Sequence, residues 1–159
     1  MNDRELTRAQ VLLHKAAEDE QVIGAPGIAD TVRGFHAQQA IEKLLKALLA
    51  QLDIPFDRTH RLERLVTVLL ASGETLPETT LPLSELNDFA VFYRYDLIFE
   101  YAVPELGDVL ATVRQIREFV QGRIAALSGS PAPPSATIET APVAPGTGIP
   151  ARRAHQSIC

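Results

Sequence analysis

Cysteine is almost missing from this chain. The single one among 159 residues is Cys159, which excludes an internal disulfide framework and a multi-cysteine zinc site. Tryptophan is absent and aromatics make up only 6%, so Leu and Ala must fill the core, as in compact helical proteins. No run approaches eighteen apolar residues and the first residues carry no apolar leader. The expectation is a cytoplasmic chain that neither crosses nor enters a membrane. There is no glycine-rich phosphate loop, no nucleophile elbow, and no pair of histidines four residues apart; neither a cofactor nor a metal is expected. Basic residues are also outnumbered. Fifteen Lys and Arg against twenty Asp and Glu give a net charge of −5, which disfavours nucleic-acid binding by general electrostatics while leaving room for a local basic groove.

What is present is helical periodicity. The stretch 35–52, FHAQQAIEKLLKALLAQL, lacks Gly and Pro and is made of strong helix formers. Ala37, Ile41, Leu44, Leu45, Leu48 and Leu52 form its apolar stripe, and Glu42, Lys43, Lys46 and Gln51 fall on the other face, so it reads as the core helix of a bundle. Residues 3–20 read as a helix before it, with Leu6, Ala9, Leu13 and Ala16 or Ala17 turned inward, stopped by the segment Gly24–Gly27. Asp30 or Thr31 is the expected cap of the core helix. Gly34, inside it, either admits a close neighbour or marks a weak first turn.

After Pro55, a third helix carries Leu62, Leu65, Val66, Leu69 and Leu70, capped by Asp57 or Thr59 and closed by Ser72–Gly73. Pro77 and Pro82 keep the next segment extended. A fourth helix starts near Ser84 and offers Leu86, Phe89, Ala90 and Tyr93. A last one, opened by Pro104, runs to about Leu127 through Leu106, Val109, Leu110, Val113, Ile116, Val120 and Ile124. Residues 128–159, rich in Pro, Ala and Thr, lack the apolar content for a core and read as a disordered tail. The fold class is therefore all-α, an up-and-down bundle of four to five helices in residues 1–127. Phe92, Ile98, Phe99 and Tyr101 exceed what its regular core positions need, and a homodimer would cover that surplus.

Three stretches, FHAQQAIEKLLKALL at 35–49, THRLERL at 59–65 and LNDFAVFYRY at 86–95, resemble the HEPN family of small helical domains. The resemblance implies the same bundle, dimerisation, and a role beside a minimal nucleotidyltransferase in a toxin–antitoxin or nucleotide-handling pair, or nucleotide binding. Another branch of the family is similar to metal-independent ribonucleases, with an Arg followed by His four to six residues on. There a cation stabilises the phosphoryl oxyanion while imidazole moves protons during 2′-OH attack. This chain departs from that pattern, since Arg94 is followed by Asp96 and Glu100 and by no His before the tail.

The candidate ligand-binding residues are His36, Gln39, Arg94 and Tyr95. Arg94 can clamp a phosphate while a flanking ring stacks on a base; the structural alternative is an ion pair to Asp88, Asp96 or Glu100. His36 can reach a phosphate or base, or bond a neighbouring helix. Gln38 and Gln39 can read a base edge or join two helices. His60 is expected to fix its loop, His14 to face outward, and Glu18, Asp19 and Glu20 to form a solvated helix end. The expected function is that of a non-catalytic binding protein, for a nucleotide or RNA or for a nucleotidyltransferase. The alternatives are a ribonuclease toxin with an altered site and a ligand-free assembly module.

Overall fold

A computed structural model describes residues 6–95 and 104–129, the side chains of 90–95 excepted. It contains five helices, α1 (Arg8–Gly24), α2 (Asp30–Gln51), α3 (Leu62–Ala71), α4 (Leu83–Tyr95) and α5 (Leu106–Gly129), and the protein is an all-α bundle. Helix α2 is the axis. Its 22 residues span about 33 Å at the helical rise, and α1, α3, α4 and α5 all pack against it.

The apolar stripe of α2 explains this position. Ala37, Ile41, Leu44, Leu45 and Leu48 are buried, as are Ala40, Ala47 and Leu49, and Leu52 packs at the edge of the same core. Burying each Leu side chain is worth roughly 1.5–3 kcal/mol, so a helix buried on most of its circumference holds its neighbours rather than being held by one of them. From α1 the core receives Ala16 and Ile23, from α3 Leu62, Leu65 and Leu69, from α4 Leu86 and Phe89, and from α5 Val109, Val113, Ile116 and Val120. Gly34 admits a close neighbour. A Cβ there would lie 2.4 Å from Cδ1 and 2.6 Å from Cγ of Phe89, so α4 approaches α2 through the missing side chain.

Local signals located the helices but not their caps. Helix α1 is capped by Thr7, whose Oγ1 accepts from the amide of Gln10 while the Gln10 side chain accepts from the amide of Thr7, a reciprocal capping box. Leu6 lies before that cap and is exposed rather than inward. Neither Asp30 nor Thr31 caps α2; Ala29 holds the position without a side-chain bond, and Asp30 enters the first turn, where its charge suits the helix dipole. Neither Asp57 nor Thr59 caps α3. Arg61 sits at that position, and the Asn87 side chain of α4 accepts from the amide of Leu62 at 3.1 Å. Leu70 is exposed. Gly73 does close α3, with a φ of 91° that favours glycine, while α5 runs two residues past Leu127, to Gly129. The expected tail beyond it, the surplus residues Phe92 to Tyr101, and the inward placement of Ala90 and Tyr93 lie outside the described residues and side chains.

Candidate functional site

The polar residues of α2 gather into two adjacent clusters. The first follows a four-residue spacing, Gln38, Glu42 and Lys46, which aligns side chains on one helical face. Sequence reading turned Glu42 outward, but it is 4% exposed, because the connection after α2 folds back over this face. The Glu42 carboxylate accepts from Lys46 Nζ at 2.6 Å, from Gln38 Nε2 at 3.3 Å and from Gln39 Nε2 at 3.4 Å. His60 Nδ1 stands 3.2 Å from the same oxygen that the amides use. The connection is then clamped by its own carbonyls, since Gln38 Nε2 donates to His60 O at 2.8 Å and Lys46 Nζ to Thr59 O at 2.9 Å. Phe56 adds a ring below the Arg8 guanidinium, 4.5 Å from its centroid, within cation–π range. A buried carboxylate is tolerated when hydrogen-bonding partners surround it, and here Lys46 meets Oε1 while Gln38, Gln39 and His60 gather at Oε2.

The second cluster joins α1 to α2. His36 Nδ1 lies 2.9 Å from Oδ1 of Asp19, and Lys43 Nζ donates to Oδ2 of the same residue. Asp19 is buried and so belongs to an interhelical bond rather than to a solvated helix end. Its neighbour Glu20 reaches α5, where Arg117 Nε donates to both carboxylate oxygens at 2.7 and 2.8 Å. Glu18 alone stays outside, its carboxyl held below the ordinary range by a hydrogen bond from Lys15. His14 faces outward, 3.5 Å from Glu18.

The candidate residues thus divide. Gln39 joins the Gln38–Glu42 cluster, donating to Gln38 Oε1 at 2.7 Å, and His36 joins Asp19. The two are near in sequence but serve different neighbours. His36 is also two residues from Gly34, about 200° around the helix, so its side chain faces α1 while Gly34 faces Phe89 of α4. Arg94 and Tyr95 occupy the end of α4, and their side chains lie outside the described ones. His60 fixes its loop, as its place before α3 implies.

Four polar residues went unread in the sequence. Arg33 donates to the carbonyls of Ile28, Ile23 and Ala25 at 3.0, 3.2 and 3.0 Å, and so collects the end of α1 and the turn after it. Glu74, buried just after α3, takes both a 2.7 Å bond from Arg123 Nε and another of 2.7 Å from its Nη2. That fork holds the Glu74 carboxyl below its ordinary value against the opposing effect of burial, and raises the Arg123 guanidinium. Arg123 itself and Arg117 complete the four. The Gln38–Glu42–Lys46 spacing was a legible signal of the first cluster; partners as far apart as Glu74 and Arg123 leave none.

Chemically, these clusters present imidazoles anchored by carboxylates and amides already occupied by protein partners. Among the described residues no group of three or more His, Cys, Asp or Glu side chains is placed to hold a metal ion. No helix among them is long and apolar enough to cross a membrane. No curated protein and no solved structure gives a significant match. The family comparison does: the HEPN domain matches residues 32–123, from the first turn of α2 to the last turns of α5. That is more than half of the chain, and it takes in both clusters apart from their α1 residues, so the protein belongs to the HEPN domain family.

Proposed function

We propose that this HEPN domain is a non-catalytic binding protein that acts as a homodimer and either binds a nucleotide or RNA end or partners a minimal nucleotidyltransferase. The observation that carries the reading is the state of its histidines. His36 and His60 both turn Nδ1 to a buried carboxylate, Asp19 and Glu42, and neither follows an Arg at four to six residues. Removing the proton of a 2′-OH beside Arg94 would need an imidazole there. The Gln38–Glu42–Lys46 face of α2 is spent on holding the 52–61 connection, which is scaffold work. Ligand contact then falls to Arg94 and Tyr95, while the other two candidates, His36 and Gln39, are held by Asp19 and by Gln38 and Glu42.

The test is a titration with nucleotides and short RNA beside an RNA-cleavage assay, on wild type and Arg94→Ala. Binding should weaken at least about tenfold, roughly 1.4 kcal/mol, with folding intact and no cleavage by either form. Equal affinity would remove Arg94 from the site. Light scattering should give twice the 17.3 kDa chain mass, and a monomer would refute the dimer.

One observation favours the second reading, a ribonuclease of altered site. A carboxylate on Nδ1 leaves Nε2 as the basic nitrogen, the arrangement that orients a general base, and His36 has it. Metal-independent cleavage lost in His36→Ala would establish that reading and end the non-catalytic one.

A further inference from the structure

Where α2 passes into α3, the chain shows solvent a concentration of positive charge. Residues 56–64, FDRTHRLER, carry three exposed arginines and an exposed histidine, and Arg8 joins them from α1 by resting on the Phe56 ring. Among the described residues the Arg58 and Arg61 side chains have no acceptor or ion-pair partner, and Arg8 has only that ring. Arg64 meets Asp57 at 2.9 Å with both side chains well exposed; a pair of this kind contributes little and exchanges readily for another anion. Asp57 and Glu63 are the carboxylates of the stretch. Four guanidiniums therefore outnumber them two to one, in a protein of net charge −5.

His60 gives this face a second kind of contact. The Glu42 carboxylate only accepts hydrogen bonds, so the Nδ1 that stands 3.2 Å from it carries the proton. In the neutral ring Nε2 is then left as an acceptor, on a side chain 59% exposed. A phosphodiester or a carboxylate offers this nitrogen no donor, whereas a ribose 2′-hydroxyl does. The backbone beneath is fixed by the bonds from Gln38 and Lys46 to the His60 and Thr59 carbonyls, which gives these side chains a preorganised support. Phe56, the one phenyl ring of the stretch, already carries Arg8 at 4.5 Å and Lys46 at 5.8 Å. The hollow beside it holds about 90 Å³, below the range of small-molecule sites. Neither offers a base a seat.

We propose that this face binds the sugar–phosphate backbone of an RNA strand, with Arg8, Arg58, Arg61 and Arg64 on phosphates and His60 Nε2 accepting from a 2′-hydroxyl. Contact is to the backbone and so does not depend on base sequence. The proposal rests on RNA as the ligand of the domain. It adds a surface on the α2–α3 connection to the one expected at Arg94 and Tyr95.

The experiment is a fluorescence-anisotropy titration of the full chain with a short oligouridine and with the matching oligodeoxyuridine, which lacks only the 2′-hydroxyls, over a range of salt. Polyglutamate supplies the charge of an acidic protein without phosphate or ribose. Wild type should bind the RNA about two- to tenfold tighter than the DNA, the worth of one hydrogen bond, and polyglutamate at least about tenfold more weakly than the RNA. Arg58→Gln combined with Arg61→Gln should weaken oligouridine binding at least about tenfold at low salt, with an unchanged melting temperature. It should also flatten the slope of log K against log salt by about 1.4, the share of two phosphate contacts. His60→Phe, which keeps a ring without an acceptor, should bind RNA and DNA alike. Full affinity and slope in the double variant overturn the proposal. So does polyglutamate binding as tightly as RNA, equal binding of the two oligonucleotides by wild type, or an RNA preference that survives in His60→Phe. Arg94→Ala separates the two possible failures. RNA binding lowered by it but not by the double variant removes this face and leaves the domain an RNA binder, whereas no oligouridine binding by wild type ends both. Cleavage of the oligouridine that is lost in His60→Phe would make the site catalytic and overturn binding alone.

Discussion

Replacing Gly34 by Ala tests how tightly α4 is seated on α2. Two effects oppose each other. In a helix interior Ala is favoured over Gly by about 1 kcal/mol, so on propensity alone the substitution stabilises. The new methyl, however, would sit 2.4, 2.6 and 2.7 Å from Cδ1, Cγ and Cε1 of Phe89, where carbon atoms prefer about 3.5–4.0 Å. Cγ is the ring atom nearest the α4 backbone, so rotating the far end of the ring does not clear it. Either the Phe89 side chain leaves its rotamer or α4 moves outward by about 1 Å and loosens Leu86 with it. Overpacking of this kind costs roughly 1–3 kcal/mol, and at the clash distances present here the upper half of that range applies. After subtracting the propensity gain, a net destabilisation of about 1–2 kcal/mol is expected. Urea denaturation measures it. In a Phe89→Ala background the clash is absent and the same Gly34→Ala change should stabilise, by up to about 1 kcal/mol. A neutral or stabilising Gly34→Ala in the wild-type background would refute the close approach of the two helices, and equal effects in both backgrounds would remove Phe89 as its cause.

Three further outcomes follow from the polar contacts. Glu42→Ala strips Lys46 and the two amides of their shared acceptor while leaving them covered, and should lower stability by about 3–5 kcal/mol; a loss below 1 kcal/mol in urea titration would mean that water reaches the cluster. Because its fork with Arg123 depresses the Glu74 pKa below the ordinary 4.5, the stability it confers is complete above that value and disappears as pH falls through the lower folded value. Glu74→Gln should therefore be less stable than wild type at pH 6, and the gap should close in acid; a gap independent of pH would refute the linkage. Arg33→Ala releases three carbonyls and should cost about 2 kcal/mol, with faster amide exchange confined at first to residues 23–29. Unchanged exchange there would show that the turn holds itself.

The parts of the fold legible in the sequence were those fixed by periodicity. Ile41, Leu44, Leu45 and Leu48 recur at helical steps and are buried where the steps put them, because burial of an apolar face depends little on which partner covers it. Glu42 was misplaced for the converse reason. A carboxylate belongs outside unless donors surround it, and its donors come from Lys46, the two glutamines and the returning connection, whose path no local signal specifies. The caps failed alike. Ala29 and Arg61 offer no capping oxygen, and the amide of Leu62 is met by Asn87 from another helix, a contact made only once the chain has folded. Among the candidate ligand residues, the interhelical alternative for His36 is the geometry found, whereas the family resemblance read from the stretches at 35–49, 59–65 and 86–95 holds across residues 32–123.

The central position of α2 also sets an order of events. Helix α1 reaches it across a turn of a few residues, whereas α5 must close a loop from Leu106 back to the same surface. Loop-closure entropy favours the short connection, so the α1–α2 hairpin is expected as the early structured unit and α5 as the late one, with φ-values near one in the first and near zero in the second. Apart from α3 and α4, the outer helices have little helix-to-helix contact with one another among the described residues. Native-state amide exchange should accordingly rank the bundle by attachment. The interior of α2 opens only with the whole molecule, and each outer helix opens by a local route whose free energy reports its own hold on that one rod.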